Sequence, residues 1–476
     1  MSFEGFFPPH DLSSGNPSRL RPPRPAKAMR TERTPNTQQE PGCDAAERST
    51  RMLDLKFIRE NPDVVRQDLR KRGDASKEAW VDDLLEKDRR SRALKAQGDE
   101  LRRRRNSIAR EINEERKAGR DTGALMKEAS DLPGRIKEIE AELEEITATI
   151  RHYQMRLPNI LHASVPVGRD DTENVEIRRV GTPRISAFPL ANHGQLAADR
   201  GWADFERATR AAGAGFYYLK GNLALLDLAL QRYAVDLLAE RGFVPIIPPY
   251  MINRRSYEGV TDLEDFEKVM YKIESDDGYL IATSEHPIGA MYQDEIFEER
   301  DLPLRLAGIS PCFRREIGSH GLDTKGLFRV HQFHKVEQFV FCRPEDSWGI
   351  HEELLANAEE IFSRLGLPYR VVNICTGDIG TVAAKKYDIE VWMPREEAYR
   401  EVVSCSNCTS YQAVRLNIRV RDPHDFESKR FVHTLNSTAV ATTRTIRAIL
   451  ENYQEEGGAV MVPPVLRPYM NGLEYL

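Results

Sequence analysis

The sequence predicts an α+β protein: an antiparallel sheet flanked by helices, preceded by an antiparallel two-helix coiled-coil arm. Three observations carry this. Apolar residues step through a heptad seam from Leu125 to Tyr153. Beyond it, helices, strands and hairpins follow without a regular βαβ series. The stretch FRREIGSHGLDTKGLFRVHQFHKVEQFVF, residues 313–341, alternates like a long hairpin.

A chain of 476 residues has room for two or three domains. Its net charge of −6 excludes no class of partner and makes a locally basic element stand out. No run approaches the ~20 apolar residues of a membrane span, and the N-terminus has no apolar signal core. A cytoplasmic protein with no membrane partner is therefore expected. Six scattered cysteines make no disulfide framework, which fits a reducing compartment.

Residues 1–51, rich in Pro, Ser, Arg and Gly, have little to bury. They read as a disordered extension or, because Met52 opens the first well-patterned stretch, as a misassigned start. Residues 52–160 are helical and highly charged. Leu125, Ala129, Leu132, Ile136, Ile139, Leu143, Ile146, Ile150 and Tyr153 step alternately by four and three. A poorer seam precedes it: Trp80, Leu84, Leu94, Leu101, Ile108 and Ile112, with Lys87, Ser91 and Arg105 at seam positions. RKAGRDTG (116–123) suits the turn between two antiparallel helices. Each would be ~30–35 residues long, roughly 50 Å at 1.5 Å per residue. Residues 87–120 hold thirteen Lys/Arg against six Asp/Glu, including Arg102–Arg105, whereas 121–157 hold five against eight. Two readings fit: a solvated coil with interhelical ion pairs, and a phosphate-backbone contact on one helix.

Residues 161–476 form the second domain, entered through a connector reaching to about residue 190. A helix over about 222–241, stopped by Gly242, leads into the apolar strand GFVPIIPPYMI. In the 313–341 stretch, Phe313–Ile317 reads as one strand with Arg314 and Glu316 on one face. From Leu327 onward, Phe328, Val330, Gln332, His334 and Val336 take one face, and Arg329, His331, Phe333, Lys335 and Glu337 the other. The intervening Gly318, Gly321 and Gly326 tolerate positive φ.

Absences prune the chemistry. There is no GxxxxGK[ST] loop and no HExxH, and AGAGF (212–216) lacks the third glycine of a dinucleotide fingerprint. Cys405-Ser-Asn-Cys408 has zinc-knuckle spacing, and His331-x-x-His334 could nominally complete a set. With no second CxxC, two adjacent buried thiols are the simpler reading, and no zinc is expected. What remains is a scatter of polar islands in apolar surroundings. They are Thr283-Ser284-Glu285, Arg314-Arg315-Glu316, Glu337, Glu401–Ser404, Asn436-Ser437-Thr438 and Arg444.

Taken together, ATSEHP, the 313–341 stretch, EVVSCSNC and LNSTAVATTRTIRAILENY resemble the substrate loop and class II signature motifs of the seryl-tRNA synthetases. The opening MLDLKFIRENPDVVRQDLRKRG and the closing VPPVLRPYMNG are also similar to that family, so the resemblance spans 52–476. It implies a class II synthetase-type antiparallel sheet and ATP-dependent activation of L-serine to seryl-adenylate. Transfer to serine tRNA follows, and to selenocysteine tRNA where one exists. It also implies the common zinc-free form, with ATP as substrate and Mg²⁺ accompanying it.

Carried over residue by residue, the resemblance makes Arg314 the clamp on the α-phosphate and the serine carboxylate, beside Arg315. Glu316 meets the adenine amino group, Phe333 stacks on the ring and Val330 lies near it. Glu401 and Ser404, with Val402 and Val403 between them, would hold Mg²⁺ against the phosphates. Arg444 holds the far phosphate and the adenine. Arg314 and Arg444 would act as electrostatic stabilisers, because charge grows on the α-phosphoryl oxygens in the transition state. Thr283, Ser284, Glu285, Arg314, Glu337 and Thr438 would form the serine pocket. By the same resemblance the arm, residues 79–153, grips the long variable arm of serine tRNA, and GFVPIIPPYMI lies at a homodimer interface. Two other readings compete. A relative loading an amino acid onto a carrier protein would not need the arm, and an inactive RNA-binding relative would not need every polar island intact.

Overall fold

In the computed structural model, which describes residues 54–316, 326–422 and 428–476, the heptad stretch folds as an antiparallel helix pair. The extension 1–51 and the hairpin glycines Gly318 and Gly321 lie outside the described residues. Helix α1 (Pro62–Lys71) leads into α2 (Glu78–Lys117) and α3 (Gly123–Gln154). The 40 residues of α2 exceed the expected length, because its first turns continue below the coil into the root of the arm. Gly119, at φ +70°, makes the turn between α2 and α3, in a region open to glycine without steric penalty.

The seam of α3 follows the predicted heptad, with Leu132, Ile136, Ile139, Ile146 and Ile150 buried. The seam of α2 differs. Val81, Leu84, Asp88, Ser91, Leu94, Gly98, Leu101 and Ile108 face inward, and neither Trp80, Lys87 nor Arg105 does. Trp80 packs beside the seam on Tyr153, ring centroids 5.3 Å apart. Asp88 tolerates its buried place because Arg59 and Arg92 each reach Oδ2 at 3.1 Å.

The second domain is built on an eight-stranded sheet. Its strands are β1 (Val175–Val180), β2 (Val244–Ile246), β3 (Leu304–Phe313), β4 (Gln332–Cys342), β5 (Tyr369–Asn373), β6 (Lys385–Met393), β7 (Ala398–Asn407) and β8 (His433–Ala441). They lie in the order β1-β5-β6-β7-β8-β4-β3-β2. All neighbours are antiparallel except β2 and β3. The main apolar core fills the space between one face of this sheet and helices α4 (Asn222–Glu240), α5 (Ser347–Arg364) and α6 (Thr442–Asn452). Among the described residues no helix is long and apolar enough to cross a membrane.

The hairpin of β3 and β4 departs from expectation at its open end. β3 stops at Phe313. Arg314 N–H still donates to the His331 carbonyl at 2.9 Å, but Arg315 N–H turns away to Val269 at 2.8 Å. The chain thus leaves the ladder before Glu316, which does not share the face of Arg314. On the other side β4 starts at Gln332 rather than near Leu327. Leu327 N–H is taken by His193 Nε2 at 3.1 Å and His331 N–H by the Gly215 carbonyl at 2.9 Å. That contact explains AGAGF: a Cβ on Gly215 would lie 2.3 Å from the His331 ring.

Candidate active site

The long strand β4 splits its side chains as its parity predicts. Phe333, Lys335 and Glu337 point into a cavity of about 370 Å³ on the sheet face away from the main core. Gln332 and His334 point to the opposite side, beside Tyr217 and Asp227. Val336 is buried in the core. Next to β4, strand β8 presents Asn436 and Thr438 to the cavity, with Thr438 paired in register to Glu337. Thr438 Oγ1 donates to Glu337 Oε2 at 3.2 Å.

Strand β7 adds Glu401, Val402 and Ser404 to the lining. A bulge between Ile389 and Glu390 shifts the β6–β7 register here, which lets neighbours 401 and 402 both reach the cavity. Val403 is turned into the apolar core. Arg444 stands in the first turn of α6, immediately after β8. Its guanidinium donates to the Glu401 carbonyl at 3.0 Å, pairs with Glu401 Oε1 at 3.3 Å and lies 5.2 Å from the Phe328 ring centre. Arg314 lies over the Phe333 ring at 5.4 Å, its Nε donating to the Ala282 carbonyl at 3.4 Å.

The Thr283-Ser284-Glu285 loop closes one end. Thr283 and Glu285 line the cavity, and Thr283 Oγ1 accepts from Glu285 N–H at 3.2 Å. Ser284 does not line it: fully buried, it donates to the Gly308 carbonyl on β3 at 3.4 Å. Only a residue without Cβ lets the loop lie so close, since a Cβ on Gly308 would come within 2.5 Å of Ser284 Oγ.

Ten predicted residues thus share one cavity: Thr283, Glu285, Arg314, Phe333, Glu337, Glu401, Val402, Ser404, Thr438 and Arg444. Five do not line it. Besides Ser284 and Val403, Arg315 is exposed, Val330 is buried and Glu316 pairs with Arg329 at 3.6 Å. The Cys-x-x-Cys and His-x-x-His pairs serve separate contacts. Cys405 packs on the His351 carbonyl and Cys408 accepts from Asn436. His331 bonds Tyr271, and His334 bonds Asp227.

Several lining groups carried no distinct signal in the sequence. Lys335 shares the polar parity of Glu337, and its ammonium lies 2.5 Å from Glu337 Oε2 with both side chains buried. From behind the lining, Gln412 donates to Glu285 at 2.9 Å. Lys386 on β6 and the segment Asp378–Ala383 complete the wall.

Electrostatically the cavity has two ends. At the Thr283 end, burial and the neighbouring Glu337 push the Glu285 carboxyl up to about 7, against the pull of Lys335. Burial drives the adjacent His286 down to about 3, so it stays neutral. At the other end the cavity walls push Glu401 up, but Arg444, Lys386 and Arg314 outweigh them and hold it below the usual carboxylate range. Burial raises Asp388 beside it, and its Oδ1 has no hydrogen-bond partner among the described residues. One end therefore offers carboxylates and a hydroxyl to a small donor, and the other offers fixed guanidinium forks to anions.

Two family descriptions match the chain. The seryl-tRNA synthetase N-terminal domain covers residues 52–161, and the class II core domain shared by the G, H, P, S and T synthetases covers 269–453. The serine–tRNA ligase of Methanocella arvoryzae is 75% identical over 425 residues, 89% of this chain and all of that protein. The crystal structure of the Pyrococcus horikoshii seryl-tRNA synthetase complexed with ATP is 52% identical with a TM-score of 0.84, covering 89% of this chain and 99% of that one. The cytoplasmic serine–tRNA ligase of Naegleria fowleri, in complex with AMP, is 35% identical with a TM-score of 0.80, covering 89% and 98%. With near-complete relatives on both sides of the arm–sheet boundary, the chain belongs to the seryl-tRNA synthetase family, the class II ligases that join serine to tRNA.

Proposed function

We propose that the cavity binds L-serine at its Thr283 end and ATP across its arginine end, and forms seryl-adenylate between them. The observation that carries this reading is the convergence of Glu285, Glu337, Thr438, Arg314, Glu401 and Arg444 on one cavity. The serine carboxylate attacks the α-phosphorus in line and pyrophosphate leaves. Arg314 lies between the two ends, where its fork can neutralise the carboxylate and the α-phosphate together and align the attack. No enzyme nucleophile is needed. Arg444, beside Glu401, holds the far phosphate and the adenine, and Phe333 offers its ring for stacking.

Glu337 keeps one oxygen engaged by Lys335 and Thr438. Its other oxygen, with Glu285 and Thr283, accepts from the serine ammonium and hydroxyl. A substrate without the hydroxyl, such as alanine, leaves buried acceptors unpaired, and sites of this kind discriminate by roughly 10⁴ or more. Glu401 and Ser404, side by side in the cavity lining, offer oxygen donors of the kind that fit Mg²⁺. When bound there, the ion supplies charge neutralisation to the ATP phosphates.

The arm receives the tRNA. Arg102, Arg103 and Arg104 of the arginine run are paired, to Glu140, Glu100 and Glu128 among others. Arg89, Lys95, Arg105, Arg110, Arg116 and Lys117 are exposed on α2 with no ion pair among the described residues. Both readings of the charge therefore have a share, and the unpaired cations are free for phosphates. Recognition by phosphate and shape leaves the anticodon unread. It admits serine tRNA and, by the family resemblance, selenocysteine tRNA where one exists.

A homodimer is supported by the apolar surface around β2, where Leu228, Val244, Ile247 and Tyr250 are 59, 56, 70 and 43% exposed. The reaction belongs in the cytoplasm, where tRNA and ATP meet. Serine-dependent pyrophosphate exchange followed by charging of a serine tRNA transcript tests the whole reading. Exchange without charging would favour the carrier-protein alternative, and neither activity would favour the inactive RNA-binding one.

A further inference from the structure

The segment that walls the cavity opposite β4 and β8 is held from outside the sheet domain. Four successive backbone carbonyls accept hydrogen bonds from two residues at the root of the arm. Arg72 donates to Gly380 at 2.6 Å and Ala383 at 3.4 Å, and Asn159 donates to Thr381 through its backbone at 2.8 Å and to Val382 through its side chain at 2.9 Å. The same Asn159 amide group reaches the Cys408 carbonyl at 2.7 Å, joining this segment to a second cavity wall. Arg72 is itself locked. Its Nε pairs with Asp68 Oδ2 at 3.1 Å, its fork also reaches the Asn159 carbonyl at 2.5 Å, and both charged side chains are 6% exposed.

A four-residue run with all its carbonyls fixed cannot rotate about its own axis, so the groups it turns toward the cavity are fixed as well. Cys408 accepts a hydrogen bond at 3.5 Å from Asn436, which lines the cavity on β8 beside Thr438, so the latched wall reaches the serine end; burial, and then the nearby Glu285 carboxylate, raise the Cys408 thiol accordingly.

We propose that Arg72 and Asn159, although they belong to the tRNA-binding half of the chain, are positioning residues of the serine pocket. The inference rests on the reading that this cavity binds serine. The root of the arm is then part of the adenylate-forming site, and the rest of the arm is not.

The test uses the full chain carrying Asp68→Leu, Arg72→Met and Asn159→Ala together, which removes both halves of the latch without leaving a buried charge unpaired. Its readouts are thermal melting and the serine KM in pyrophosphate exchange at saturating ATP. Misplacement of a substrate wall is expected to raise serine KM about tenfold or more while the protein still melts cooperatively. A merely destabilised protein would instead lose active fraction at unchanged KM. Arg72→Lys gives the second readout: it keeps the charge opposite Asp68 but has no planar fork to span two carbonyls. If the triple variant does not melt cooperatively, Arg72→Lys alone decides. A serine KM within about twofold of the parent in the variant that melts cooperatively overturns the inference, since a misplaced wall costs far more. Absence of serine-dependent exchange in the parent chain would refute the reading of the cavity and the inference with it.

Discussion

Arg314→Ala is the perturbation that most directly probes the proposed chemistry. The direct side-chain contacts of Arg314 among the described residues are the Phe333 ring at 5.4 Å and the Ala282 carbonyl at 3.4 Å. Its fork pairs directly with no described carboxylate, so truncation breaks no ion pair, and Glu401 keeps Arg444 and Lys386 as compensating charges. Loss of the ring contact costs the fold about 0.5–1 kcal/mol, which a domain of this size tolerates. The catalytic loss is larger. Removing one preorganised donor aimed at a developing oxyanion raises a barrier by roughly 3 kcal/mol, about a hundredfold in rate. Arg314 would serve both the carboxylate and the α-phosphate, so this is a lower figure. The assay is serine-dependent pyrophosphate exchange, with circular dichroism to establish folding and Arg314→Lys as the charge-conserving companion. A loss below about tenfold in the folded variant, or a change confined to KM, would contradict the assigned role.

Three further outcomes are expected. Because burial holds Glu285 near 7, the free pocket is increasingly protonated below that pH and ionised above it. An ammonium prefers the ionised form, so serine KM should fall as pH rises from about 6 to 8, and Glu285→Gln should flatten the profile; a parallel profile in both proteins would remove Glu285 from the ammonium site. Replacing residues 95–141 by a short turn keeps Arg72 and Asn159 in place; it should abolish charging of serine tRNA and leave pyrophosphate exchange within about twofold, whereas retained charging would take the tRNA off the arm. Leu228→Asp buries a charge if the apolar surface around β2 is shared between two copies. It should shift the sedimentation coefficient to that of a monomer, and an unchanged coefficient would place the interface elsewhere.

Much of the site was legible because strand parity and short motifs carry position as well as identity. Phe333 and Glu337 are an even number of residues apart, and β4 turns both into the cavity. The Thr283–Glu285 and Glu401–Ser404 islands are local in sequence, but alternation and a bulge decide which members point inward. Ser284 and Val403 therefore lie outside the cavity lining although each belongs to an island. Glu316 lies outside it for a different reason: Val269, far away in sequence, captures the Arg315 amide and ends the ladder early. The arm shows the same contrast. The α3 seam is apolar throughout and was read residue by residue, whereas the α2 seam contains Asp88, Ser91 and Gly98, whose burial depends on partners such as Arg59 that periodicity does not reveal. Apart from Asp378 itself, the wall from Asp378 to Ala383 carries no charged residue. Its placement depends on backbone carbonyls, which every residue possesses and no sequence displays.

The polar stretch of α2 also divides the arm mechanically. Leu84 belongs to an apolar cluster with Phe57, Ile58, Val65 and Leu69, while Leu94 belongs to another with Ile136, Ile139 and Ile146. Between them the helix contributes only Asp88 and Ser91 to the seam, so little apolar surface resists bending there. The outer coil and the root of the arm thus rest on separate apolar cores, joined across this stretch by polar ties such as Arg90–Glu142 at 2.6 Å, so a substitution that empties one core leaves the packing of the other intact.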